Sequence, residues 1–218
     1  INVEPKQIVI GSGAEYLYSI IIQTLGRSRG VAVEDPCYEK IRKVYIANGV
    51  NCEMLKMGSD GIKSTELEKA KSGLLHVTPF NSYPSGVTAT ASKRSEYVRW
   101  AKERKGYIIE DDFDSEFTVS MKAADTLFSL APECTVYMNT FSKTVSPALR
   151  VGYMVLPKCL VSDFENKLGF YSCTVPVFDQ YVLEHLAKIK LSMFQVVEFF
   201  SFAYVPGKLL DFLVIIFD

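Results

Sequence analysis

The chain has 218 residues, of which 48% are hydrophobic and 22% charged, and its formal net charge at pH 7 is −1. That length buries a sizeable core and suits one domain or slightly more, which excludes a miniprotein held by disulfide or metal staples. The near-neutral charge supplies no basic field, so no nucleic-acid contact is expected through this segment.

The sequence opens at Ile1 rather than Met and carries no signal-peptide pattern, so a preceding segment is expected to have been removed. Residues 7–10 (QIVI) read as a strand. Gly11-Ser12-Gly13 follows, and then a helix whose Leu17, Ile20, Ile21, Ile22 and Leu25 form a broad apolar face. Residues 30–35 (GVAVED) form a second strand. A helix near 37–48 follows, with Ile41, Val44 and Tyr45 on one side. NCEMLKM is a third strand, and Ser64 is expected to cap a short helix, with the acid of its capping-box signal one residue out of register. LLHVTP (74–79), YIIED (107–111), TVYMNTF (135–141) and VGYMVLP (151–157) complete the strand set, with a clear helix over 92–105.

Continuously apolar strands separated by helices imply an α/β fold, a mainly parallel sheet covered on both faces in three layers. In such sheets, binding sites form outside the carboxyl ends of the strands. His76 reads as a packed strand residue, His185 as a surface helix residue, and Trp100 as the anchor of its helix to the sheet. With two histidines, a His-rich metal centre is not expected. Five cysteines, odd in number and never spaced C-x-x-C, signal neither a disulfide frame nor a zinc knuckle and suit a reducing, cytoplasmic setting.

The last residues, 191–218, are strongly apolar, but Glu198, Lys208 and Asp211 interrupt them and Pro206-Gly207 divides them. A membrane helix needs roughly 20 continuous apolar residues, so none is expected. The expected organisation is therefore a large domain over 1–190 and an apolar tail over 191–218.

Three features fall at strand ends. Gly-Ser-Gly before a helix lets backbone amides approach an anion, although alone it reads more often as a tight turn. Glu110, Asp111, Asp112, Asp114 and Glu116 crowd the end of YIIED. They suit a solvated loop or a hard cation, but the apolar residues before Asp111 put the first acids where an ionised group needs a partner. The simplest division keeps Asp111 inside and Asp112, Asp114 and Glu116 outside or paired with basic residues. Lys143, in TFSKTVSPALRVGY, is a surface lysine or, in a fixed setting near an anion site, a nucleophile able to form a Schiff base. An anion loop, a carboxylate and a lysine at three strand ends match the phosphate, ring nitrogen and aldehyde of pyridoxal phosphate.

Five segments, QIVIGSGAEYL, VAVEDPCYEKIRKVY, HVTPFNSYPSGVTATASKR, YIIEDDFDSEF and TFSKTVSPALRVGYMVLP, carry a family resemblance over about residues 1–190. The chain resembles the large domain of fold-type-I, class I/II aminotransferases, and most closely the aminotransferase-like domain of GntR/MocR-type transcriptional regulators. The resemblance implies a seven-stranded sheet, pyridoxal 5′-phosphate as cofactor, an amino acid or amine as substrate or effector, and a homodimer. It implies that Lys143 holds the cofactor and moves the proton, and that Asp111 pairs with the pyridinium nitrogen. Ser12, Gly13 and Ala14 would cradle the phosphate with Thr140, Ser142 and Arg150, while Tyr38 would stack on the ring.

The chain also departs from the family pattern. Phe113 stands where related regulators often have a tyrosine, and Tyr83 where many aminotransferases place an asparagine. No arginine follows Arg150 to clamp a substrate carboxylate. Two functions follow from the resemblance, amino-group transfer to a 2-oxo acid and effector sensing within a regulator. A metal-dependent phosphate-handling enzyme built on the acids of DDFD is a distant third.

Overall fold

A computed structural model describes residues 3–112, 115, 125–142, 145 and 148–188. Lys143, Phe113, Asp114, Glu116 and the tail over 191–218 lie outside the described residues.

Seven strands appear where the apolar runs predict them: β1 (Ile8–Gly11), β2 (Val31–Asp35), β3 (Cys52–Lys56), β4 (Leu74–Val77), β5 (Tyr107–Asp112), β6 (Thr135–Thr140) and β7 (Gly152–Val155). They form one sheet in the order β1-β7-β6-β5-β4-β2-β3. Strands β2 to β6 pair in parallel, whereas β7 runs antiparallel to both β6 and β1. The sheet is therefore mainly parallel, as expected, with a single reversed strand between β1 and β6.

Helices α1 (Ala14–Leu25), α2 (Glu39–Ala47) and α6 (Lys158–Leu168) cover one face, and α3 (Ser64–Lys69), α4 (Ala91–Arg104) and α5 (Leu127–Leu130) cover the other. A further helix, α7, spans Val177–Lys188. Strand alternation divides the core accordingly. Val31, Val33, Leu74 and Ile109 pack with Leu17, Ile21 and Tyr45, whereas Ala32, Leu75, Val77 and Ile108 pack with Leu67, Tyr97 and Trp100. Both faces of the central strands are thus buried, the reason they read as continuous apolar runs.

Several local readings change. Ser64 is the first residue of α3 rather than its cap, which is Lys63, and the Ser64 hydroxyl instead accepts from Lys93 Nζ at 3.1 Å. Helix α4 is capped by Thr90, whose side chain accepts from the Lys93 amide at 3.2 Å. Trp100 is 5% exposed and its indole N–H donates to the Leu67 carbonyl at 2.9 Å, so it anchors α4 to α3 as well as to the sheet. His185 is exposed. All five cysteines are free. No described helix is long and apolar enough to cross a membrane.

Candidate active site at the carboxyl edge of the sheet

The carboxyl ends of β1, β4, β5 and β6 lie along one edge, and because β7 is reversed, its first residues arrive at that same edge. Arg150, just before β7, is thereby brought beside the turn after β1. A cavity of about 410 Å³ opens here, lined by Ala14, Glu15, Tyr18, Tyr38, Lys40, Ile41, Thr78, Tyr83, Asp111, Thr140, Ser142 and Arg150. Of the residues singled out from the sequence, Ala14, Tyr38, Tyr83, Asp111, Thr140, Ser142 and Arg150 are brought together in its wall.

Asp111 ends a buried strand and is only 5% exposed. Among the described residues its carboxylate accepts one hydrogen bond, from the Tyr18 hydroxyl to Oδ2 at 2.5 Å. Burial, and then the nearby Asp111 charge, push the Tyr18 hydroxyl well above its ordinary pKa, so Tyr18 stays a donor. Behind them, His76 on β4 holds its Nε2 3.5 Å from Asp111 Oδ2, and its Nδ1 lies 2.6 Å from the Tyr45 hydroxyl. His76 Nε2 is buried and has no hydrogen-bond partner among the described residues. With Tyr45 donating to Nδ1, the ring proton sits on Nε2 and faces the carboxylate, whereas the other tautomer turns a lone pair onto it. The sequence reading of His76 as a packed strand residue holds, but its position behind Asp111 has no signature in its own neighbours.

The division of the acids differs from expectation. Asp112 and Glu110 are buried at 2% and 0% exposure on the side of the strand away from Asp111. Asp112 accepts from the Ser115 amide at 3.1 Å and hydroxyl at 2.7 Å and from the Tyr137 hydroxyl at 2.8 Å. Strand alternation explains the correction: β5 continues to Asp112, so successive acids point to opposite faces. No group of acids, histidines and cysteines among the described residues is arranged to hold a metal ion.

On the opposite wall, Gly13 caps α1 with φ 93°, in the left-handed region open chiefly to glycine. A Cβ there would lie 2.5 Å from Arg150 Nη2, so only glycine lets the guanidinium close on this turn. The Ser12 amide donates to the Thr174 hydroxyl at 3.1 Å and the Gly13 amide to the Gly11 carbonyl at 2.8 Å, which occupies both in the described state. Arg150 also donates to Glu15 Oε2 at 2.7 Å and weakly to the Ser142 hydroxyl at 3.5 Å. Lys40 reaches the other Glu15 oxygen at 3.4 Å.

At the mouth, Tyr38 and Tyr83 meet edge to face, with ring centroids 6.0 Å apart, and both are exposed. The turn bearing Tyr83 is tied down by Glu34, which is 4% exposed. Glu34 accepts from the Thr78 amide at 3.2 Å, the Thr78 hydroxyl at 2.6 Å and the Ser82 hydroxyl at 2.7 Å.

No protein-family model matches the chain. The regulator YdeL of Bacillus subtilis, described as an uncharacterized HTH-type transcriptional regulator, is 32% identical over 185 residues, 84% of this chain and 40% of YdeL. The probable rhizopine catabolism regulatory protein MocR of Rhizobium meliloti is 26% identical over 164 residues, 74% of this chain and 33% of MocR. The chain is thus similar in sequence to a segment of HTH-type transcriptional regulators, MocR among them.

The chain spans less than half the length of those regulator relatives. Its fold is that of the aminotransferases. The α-aminoadipate aminotransferase LysN of Thermus thermophilus, solved with N-(5′-phosphopyridoxyl)-L-leucine, superposes with a TM-score of 0.77 at 23% identity, covering 90% of the chain and 54% of LysN.

Proposed function

We propose that the chain binds pyridoxal 5′-phosphate in the cavity at the carboxyl edge and serves as the amino-compound-sensing part of a MocR-type regulator. The observation that carries the proposal is Asp111. A buried carboxylate with its described donor on one side only lines the same cavity as Arg150, Thr140, Ser142 and the start of α1. An ionised group so buried gains from a cationic partner on its open side, and a protonated pyridine nitrogen fits that need. The cofactor, when bound, supplies an aldehyde for amine condensation and a ring that draws electron density from the substrate carbon.

This chain's residues would then divide the work. Asp111, held by Tyr18 and backed by His76, keeps a proton on the ring nitrogen. Arg150, Thr140, Ser142 and the Ala14 end of α1 hold the phosphate, with Gly13 giving the guanidinium room and Ser12 shaping the turn. Tyr38 packs on the ring, and Tyr83 narrows the mouth beside it. Phe113, two residues beyond Asp111 in sequence, has no hydroxyl to offer the cofactor. Lys143, adjacent in sequence to the cavity residue Ser142, would supply the amine that holds the cofactor and the group that carries the proton of the substrate carbon. The domain division at about residue 190, the homodimer and a cytoplasmic setting belong to the same proposal.

Amino-group transfer to a 2-oxo acid is the second reading, supported by the fold shared with LysN. The regulators at 32% and 26% identity favour sensing. The test is the visible absorbance of the chain with added pyridoxal phosphate. A band that shifts on adding amino acid is expected for the wild type and lost in Lys143→Ala, while Asp111→Asn weakens affinity about tenfold or more, the effect of removing a charged hydrogen-bond partner. An unchanged band in Lys143→Ala sinks the assignment. Turnover of amino acid with 2-oxo acid would move the conclusion to the transferase reading.

A further inference from the structure

Resting on the proposed function, the geometry points to Glu15 as an internal anion that occupies the phosphate seat and weakens the hold of the site on phosphate-bearing ligands, making them exchangeable. Glu15 is the second residue of α1, and its two carboxylate oxygens are divided between two cations, Arg150 at 2.7 Å and Lys40 at 3.4 Å. All three residues line the cavity together with Ala14, Thr140 and Ser142. The guanidinium that would grip a phosphate is thus already engaged by a carboxylate of the same site.

The charges make the consequence definite. Among the described residues, Arg150, Lys40 and the Glu15 carboxylate meet at the end of the cavity beside the partial positive charge of the α1 N-terminus. Burial alone would raise the Glu15 pKa, but contact with its own backbone amide, Arg150 and Lys40 together hold it below the ordinary value, so it is ionised at neutral pH. A phosphate monoester carries about −1.5 to −2 charge at pH 7. It must either displace Glu15 from both cations or sit beside a like charge, and both weaken binding. The Glu15 side chain is 39% exposed, so the route out of the seat leads to solvent. Sequence reading singled out Arg150 and the turn but not Glu15 or Lys40, because their meeting depends on the packing of α2 beside α1.

Equilibrium binding of pyridoxal 5′-phosphate, pyridoxal and inorganic phosphate to the 218-residue chain tests this. Glu15→Gln keeps the shape and removes the charge. It is expected to tighten pyridoxal phosphate and inorganic phosphate by about tenfold or more and leave pyridoxal within about twofold. Glu15→Ala should change affinity in the same direction, and Lys40→Met should weaken both phosphate-bearing ligands. Unchanged or weaker phosphate affinity in both Glu15 variants overturns the inference, as does failure of inorganic phosphate to bind either protein. Tighter phosphate without a visible band upholds the Glu15 role and removes the Lys143 assignment, whereas a normal band with Glu15-independent affinity does the reverse.

Discussion

Glu110 and Asp111 are neighbours in β5, yet they do opposite things because a strand turns alternate side chains to opposite faces. Asp111 lines the cavity, while Glu110 accepts from the Leu127 amide at 2.8 Å and the Phe128 amide at 2.9 Å. Burial pushes the Glu110 carboxyl up to about 7, against the downward pull of those two amides. A carboxyl whose folded pKa exceeds its unfolded value stabilises the fold fully below the unfolded value, near 4.5. That contribution is lost as pH rises toward 7. The shift corresponds to something on the order of 3 kcal/mol. Urea denaturation of the wild type and Glu110→Gln between pH 4.5 and 8 measures it. The wild type is expected to lose this stability relative to the variant as pH rises, and parallel curves would contradict the assignment. A run of acids was legible in the sequence. Which acid faced which layer depended on where β5 ended, one residue beyond the predicted boundary.

The turn after β4 shows how elements depend on one another. Thr78 and Ser82 are short polar residues with no evident task until β2 packs beside β4 and brings the Glu34 carboxylate to their donors. Burial raises the Glu34 pKa, and the three donors pull it back down. Arg94 on α4 holds the same turn from the other side, donating to the Pro79 and Ala89 carbonyls at 3.1 and 3.0 Å and stacking on Phe80. Glu34→Ala strands buried donors, and such losses cost about 1–3 kcal/mol for each unsatisfied group. A drop of about 2–4 kcal/mol in unfolding free energy is expected. A loss under about 0.5 kcal/mol, the size of an ordinary surface substitution, would mean that the turn holds without Glu34. Glu34 was visible in the sequence only as part of a strand ending. Its partners lie more than 40 residues away, beyond any local pattern.

At the scale of the molecule, the two helical layers pack on opposite faces of one sheet and share strands β2, β4 and β5. Unfolding is therefore expected to be a single cooperative transition. The one tryptophan, Trp100, lies in the layer of α3, α4 and α5, so its fluorescence reports directly on that side alone. Ile21→Ala opens a cavity in the other layer, where Ile21 is 1% exposed. It should lower the stability read from Trp100 by about 2–5 kcal/mol, as for other buried truncations to alanine. If the Trp100 transition does not move, the layers unfold independently.

Local pattern was enough to locate the seven strands and the helices α1, α2 and α4. Each is written in the period of neighbouring side chains and in short turn residues. Three further facts exist only once the chain has packed: β7 runs backwards and so carries Arg150 to the edge where β1 and β6 end, Glu15 meets that arginine, and His76 stands behind Asp111. Strand direction and side-chain partnership are set by packing between residues far apart in the chain, where the energy of each contact depends on every layer being in place.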